Sequence, residues 1–182
     1  MKSIGSAQTT IPSKCRLSNA PAMRLSFTGR DTVVELTRGD LFASTADAIL
    51  NPVNCEGVMG AGLALEFKRR YPDNFRAYAD FCKLGSLEPG VLLPVPLSIV
   101  TPPYYIVNFP TKDCWRNPSK YEYIEQGLVT LEAWCWHEGI ETVAMPALGA
   151  GLGGLDWHQV YNRVIDVFGG DRYTTIYFYK PQ

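Results

Sequence analysis

The chain has 182 residues, with 17 Lys plus Arg against 18 Asp plus Glu and a formal net charge of −1. That length suits one domain with a core of its own, and a 46% hydrophobic composition excludes a wholly disordered chain. No apolar run reaches the ~18 residues of a membrane span, and the balanced charge argues against bulk nucleic-acid packaging while leaving a local basic site open. The first 30 residues carry Lys2, Lys14, Arg16, Arg24 and Arg30 and no acid, a net of +5, so the remainder is acidic at −6. This start, rich in Ser, Thr, Pro and Ala, is expected to be a disordered basic tail; an organellar transit peptide is the alternative. The domain proper is expected over residues 31–182.

From Thr32 onward the elements alternate. Val33–Leu36 and Ala48–Leu50 read as short strands. Gly60-Ala61-Gly62 opens a helix that ends at Arg70-Tyr71 before Pro72, and Asp73 is placed to cap a second helix running through Cys82. Val91–Val95 and Tyr104–Phe109 are further strands, and Pro94 with Pro96 mark the first of them as an edge strand or a bulge. Ser119 and Glu122 form a capping-box pattern for a helix carrying Ile124, Leu128, Leu131 and Cys135, with Gly139 as its stop. Thr142–Met145 is a strand, a helix begins at Asp156 and ends before Gly169-Gly170, and Thr174–Tyr179 alternates as a last strand. The expected architecture is α/β with a mixed sheet.

Cysteine and histidine usage is sparse. Five thiols (Cys15, Cys55, Cys82, Cys114, Cys135) show no CxxC pair, which points to a reducing, cytoplasmic compartment. His137 and His158 alone give a zinc site little to work with, so no metal is expected.

Two stretches share one logic, a strand followed by a glycine-rich turn and a helix N-terminus. The first is Asn51-Pro52-Val53-Asn54 with Gly57, Gly60 and Gly62; the second runs from Gly149 to Leu155. Glycines let backbone approach a ligand closely, and helix N-terminal amides favour an anion, commonly phosphate. Two such turns in one small domain point to a diphosphate gripped from both sides. Gly149, Gly151 and Gly154 satisfy G-x-G-x-x-G, but only one strand follows, and Asp171 precedes that strand where a ribose-binding acid should end it. A dinucleotide fingerprint is therefore disfavoured.

The runs Arg38-Gly39-Asp40-Leu41-Phe42, Asp47 to Asn54 and Met59 to Ala64 resemble a macrodomain, the ADP-ribose-binding fold. Asn108 to Arg116, Pro118-Ser119-Lys120 and Pro146 to Trp157 narrow the resemblance to the DarG-like macrodomains, antitoxins that remove ADP-ribose from DNA modified by a DarT toxin. The resemblance implies a three-layer α/β/α fold and a role for each matching position. Asp40 would accept from the adenine amino group, with the Leu41 amide nearby. Asn54 would contact the distal ribose. Gly60, Ala61 and Gly62 would form one phosphate–ribose loop, and Gly149, Ala150, Gly151, Leu152, Gly153 and Gly154 the other. Lys112 matches the essential lysine of that group and of the related terminal ADP-ribose protein glycohydrolase.

A lysine held near the anomeric carbon can attack it when its amine is neutral, which desolvation or a neighbouring cation favours. Read without the family, Lys112 is a solvated loop lysine, Asp40 a helix cap, and Trp115 either core or, with Thr111 and Arg116, a base-contacting surface. The protein-directed relative has an aspartate where this chain has Gly153, which favours DNA over acidic side chains as the carrier of ADP-ribose. The resemblance thus implies a monomeric hydrolase without cofactor, acting on ADP-ribosylated single-stranded DNA, with a DarT-like toxin as partner. Removal of ADP-ribose from proteins and a non-catalytic ADP-ribose reader are the alternatives. DarG-like chains also continue into a toxin-neutralising domain, so the chain is expected to be either a fragment of a longer antitoxin or a free-standing enzyme.

Overall fold

In the computed structural model, Ala48–Val53 is a strand in which every position except Pro52 is buried. Burial on both faces marks an interior strand covered by helices on either side. The structure describes residues 34–170 and 173–181; the expected basic tail, Val33 and Asp171 lie outside them. The strands are β1 (Val34–Thr37), β2 (Ala48–Val53), β3 (Leu93–Pro96), β4 (Tyr105–Pro110), β5 (Thr142–Pro146) and β6 (Thr175–Tyr179). The helices are α1 (Gly62–Arg70), α2 (Pro72–Lys83), α3 (Tyr121–Glu138) and α4 (Trp157–Phe168). A short 3-10 turn spans Leu41–Ala43.

The sheet order is β1-β6-β5-β2-β4-β3. Every neighbouring pair is parallel except β3 with β4. Pro94 and Pro96 lack the amide a central strand needs, and β3 accordingly lies at the edge. Side-chain alternation then divides the core. Ala48, Leu50, Val107, Phe109, Val143 and Met145 pack against Ile124, Leu128 and Leu131 of α3 and Val160, Val164 and Phe168 of α4. Ile49, Ile106 and Ala144 point the other way, toward Phe67 of α1 and Leu41. The result is the three-layer α/β/α arrangement with a mixed sheet. No helix among the described residues is long and apolar enough to cross a membrane.

Helix ends follow local chemistry in part. Gly139 adopts φ 70° and stops α3, a conformation that costs glycine nothing. The Asp156 carboxylate accepts from the His158 amide at 2.8 Å and caps α4.

Two expected caps are not formed. Pro72 itself opens α2, preorganised for the first helical position, so Asp73 falls inside the first turn and its carboxylate pairs with Arg76. The capping box at Ser119 is also absent: Lys120 is the residue before α3 and no side chain caps it. Ser119 is held elsewhere, its amide donating to the Gly153 carbonyl at 2.9 Å.

Candidate functional site

Because β5, β2 and β4 are adjacent and parallel, the loops that follow them leave the sheet along one edge. The carboxyl ends of parallel strands are where open α/β sheets collect ligands.

The loop after β2 is built around Asn54. Its Oδ1 accepts from the Glu56 amide at 2.9 Å and the Val58 amide at 3.4 Å, while Nδ2 donates to the Val58 carbonyl at 2.6 Å. The Tyr78 hydroxyl, reaching from α2, donates to the Asn54 side chain and lies 2.8 Å from its carbonyl. Burial raises that hydroxyl's pKa, so it stays protonated. Asn54 therefore shapes the loop, and one Nδ2 hydrogen remains outside these bonds. Beyond it, Gly60, Ala61 and Gly62 are exposed, and Gly62 has φ 56°. No side chain caps α1 here, so its first amides resemble an anion-binding helix start.

The loop after β4 carries Thr111, Lys112, Trp115 and Arg116. Thr111 is buried and its amide donates to the Val53 carbonyl at 2.9 Å. Lys112 is half-buried, and its Nζ donates to the Leu152 carbonyl at 2.9 Å. Asp113 organises the remainder: its Oδ1 accepts from the Cys114 amide and Asn117 Nδ2, and its Oδ2 from the Tyr123 hydroxyl. The Asn117 side chain first, and then the Cys114 amide, hold its carboxyl below the usual range. Trp115 is 47% exposed, and the Arg116 guanidinium lies 4.2 Å from its ring centroid.

The loop after β5 holds Gly149 to Gly154. Gly149 and Gly154 have φ 71° and 78°. The Leu155 amide donates to the Gly149 carbonyl at 3.1 Å, closing the loop on itself. A Cβ added at Gly153 would fall 2.2 Å from both the Gly149 carbonyl oxygen and Ser119 Oγ. The position has no room for any side chain. At the tip, Leu152 is 73% exposed, and its Cδ1 lies 3.4 Å from where a Gly62 Cβ would stand.

The structure thus brings the two glycine loops together at Gly62 and Leu152 and fastens Lys112 to the second of them. Asp40 and Leu41 follow β1 at the same end of the parallel strands. Leu41 packs into the cluster of Phe67 and Ala144, while Asp40 Oδ1 accepts from the Phe42 amide at 2.9 Å and caps the 3-10 turn.

The sequence reading missed three residues of this region. Glu56 accepts from the Trp115 amide at 2.9 Å, Asp113 orders the lysine loop, and Ser119 underlies the second glycine loop. Glu56 and Ser119 work through backbone partners distant in sequence, which no local spacing reveals. Asp113 instead works through Cys114, Asn117 and Tyr123 close by, so its spacing to Asn117 was a signal available in the sequence. Cys55 joins the same network, its amide donating to the Asp113 carbonyl and its Sγ lying 3.3 Å from the Lys112 carbonyl. Burial pushes its thiol up to about 12, leaving it unreactive.

Comparison with known proteins agrees with this geometry. The Macro domain family model matches residues 50–164. A DNA ADP-ribosyl glycohydrolase of Mycobacterium tuberculosis is 47% identical over 130 residues, 71% of this chain but 37% of the relative. The structure of the macrodomain of Mycobacterium tuberculosis DarG superposes with a TM-score of 0.81 at 42% identity, covering 83% of this chain and 99% of that one. A DNA ADP-ribosyl transferase-DNA ADP-ribosyl glycohydrolase fusion protein of Thermosipho africanus is 37% identical over 142 residues, 70% of this chain and 37% of that relative. The structure of Thermosipho africanus DarTG in complex with ADP-ribose superposes with a TM-score of 0.73 at 32% identity, covering 81% of this chain and 42% of that one. The chain therefore spans well under half the length of these curated relatives. With the family model covering more than half of its residues, and with the sheet order, glycine loops and lysine in place, the chain belongs to the macrodomain family.

Proposed function

We propose that the chain hydrolyses the glycosidic bond joining ADP-ribose to a nucleobase of single-stranded DNA, thymine being the base the sequence resemblance implies. The observation that carries this reading is the Lys112 ammonium bonded at 2.9 Å to the second glycine loop, which places an amine beside the segment that would wrap the diphosphate and distal ribose. Asp40 and Leu41 would hold the adenine, and Gly60 to Gly62 with Gly149 to Gly154 the diphosphate and ribose. Asn54 would orient the distal ribose through its remaining Nδ2 hydrogen. As nucleophile, the neutral Lys112 amine would bond the anomeric carbon as the glycosidic bond breaks, the base leaving with the proton the amine gives up. Water would then displace the lysine to release ADP-ribose; as activator, the lysine would direct water to the same carbon instead. Trp115 and Arg116 follow the lysine and would meet the base and its strand, whereas Thr111, expected beside them, is buried with its amide bonded to Val53 and is not placed to do so. No cofactor takes part in these steps.

Two findings support nucleobases over acidic side chains as the carrier. Relatives 37–47% identical over about 70% of this chain are named for DNA, and the crowding at Gly153 leaves no space for the carboxylate that the protein-directed relative uses. A DNA ADP-ribosyl transferase of the DarT kind is the partner that would generate the substrate, as the fusion relative's name pairs the two activities. The test is a panel of ADP-ribosylated oligonucleotide and ADP-ribosylated peptides carrying modified Glu or Asp. Release from the oligonucleotide at least about tenfold faster is expected; preferential release from peptide would overturn the nucleobase assignment.

A further inference from the structure

Glu56 is an exposed carboxylate on the loop after β2. Its backbone is fixed because its amide is bonded to Asn54 Oδ1 and Gly57 turns the chain with φ 79°. Its side chain crosses to the next loop, where Oε2 accepts from the Trp115 amide at 2.9 Å, 59 residues away in sequence. That amide, followed by the Cys114 thiol and the Arg116 charge, holds the carboxyl below its ordinary value. Inward of this bond, the two loops are already joined by the Cys55 amide to the Asp113 carbonyl and by Cys55 Sγ against the Lys112 carbonyl. Removing the Glu56 bond therefore leaves the Lys112 end of the loop anchored, and leaves Asp113 bonded to Cys114 and Asn117 on either side of Trp115, while taking away the bond that holds the Trp115 amide itself. The Trp115 indole is half exposed with Arg116 against its ring, an aromatic and cationic pair suited to a nucleobase and its phosphate.

We infer that Glu56 is a positioning residue that aims Trp115 and Arg116 at the nucleotide bearing the ADP-ribose, and so sets preference for a DNA-linked over a free or protein-linked ADP-ribose. This rests on the nucleobase reading above. Glu56 would not touch ADP-ribose. Its carboxylate fixes the angle at which Trp115 leaves the loop, and a stacking partner held in place keeps affinity that a swinging one loses.

The experiment measures the affinity of Glu56→Ala and Glu56→Gln for two ligands, in the full chain. One is free ADP-ribose, by calorimetry; the other is a short single-stranded oligonucleotide with one ADP-ribosylated thymine, by fluorescence anisotropy in a Lys112→Ala background so that the ligand is not consumed, with KM and kcat for release measured under multiple turnover with Lys112 intact. Glu56→Ala is expected to keep ADP-ribose affinity within about twofold while weakening oligonucleotide affinity and raising KM by about tenfold, with kcat little changed. Glu56→Gln, which retains an oxygen for the Trp115 amide, should recover most of that loss. Equal oligonucleotide affinity in Glu56→Ala and wild type overturns the inference. So does an equal loss for both ligands, which marks a structural role, or a Glu56→Gln variant as impaired as Glu56→Ala. Wild type that binds the oligonucleotide but releases nothing defeats the hydrolase reading alone, because the affinity ratio is still measured.

Discussion

The Ser119 hydroxyl is buried against Gly149 and Gly153 with no hydrogen-bond partner among the described residues. A buried unpaired hydroxyl costs about 1–3 kcal/mol relative to its hydration, so Ser119→Ala is expected to stabilise the fold by about 1 kcal/mol. In a chain of this size that raises Tm by about 2–4 °C. Thermal unfolding checks this; a lower Tm would show that the hydroxyl is bonded in the native state. The same residue shows where local pattern misleads. Ser119 and Glu122 have capping-box spacing, yet the serine is taken by a loop 34 residues downstream in sequence, where its amide meets Gly153. Glu56 was illegible for the same reason, since its partner is the amide of Trp115 and its own neighbours give no sign of it. The glycine loops were legible because their chemistry is in their type and order, whereas Lys112, read on its own, is a solvated loop lysine that only the family resemblance singled out.

At the scale of elements, the strand and helix order was readable because the helices repeat apolar residues at helical spacing while the interior strands are short apolar runs, buried on both faces and bounded by turn residues. Ile124, Leu128, Leu131 and Cys135 recur at helical spacing and are all buried on α3. What spacing could not show is how α3 approaches the sheet. That approach depends on Gly127, where an added Cβ would fall 2.2 Å from the Phe109 ring. Glycine in mid-helix is unfavourable by about 1 kcal/mol against alanine, and it is tolerated here because Phe109 of β4 fills the space. Gly127→Ala should gain helix propensity and still lose about 1–3 kcal/mol net through overpacking, seen as a lower denaturation midpoint with an unchanged slope. Increased stability would mean that Phe109 has another place to go. Phe109 lies one residue before Pro110, where β4 ends and the lysine loop begins, so the variant also tests how firmly the core supports that loop.

For the whole molecule, residues 31–182 carry an acidic excess of six charges, while Lys112, Arg116 and Lys120 lie together on one loop. Lys120 is tied to the Tyr123 hydroxyl at 2.9 Å, and Arg116 to the Trp115 ring. An acidic body with a local basic rim suits a single modified nucleotide met at one edge and disfavours wrapping of long nucleic acid. The sheet order places the rim, both glycine loops and Asp40 at the same end of the parallel strands, so the fold itself assembles the site. Lysine-dependent hydrolysis is the step on which this arrangement stands or falls. Release of ADP-ribose from a single-stranded oligonucleotide carrying one ADP-ribosylated thymine should fall by about a thousandfold or more in Lys112→Ala, with binding of free ADP-ribose kept within about tenfold. Undiminished release by the variant would refute the lysine's role.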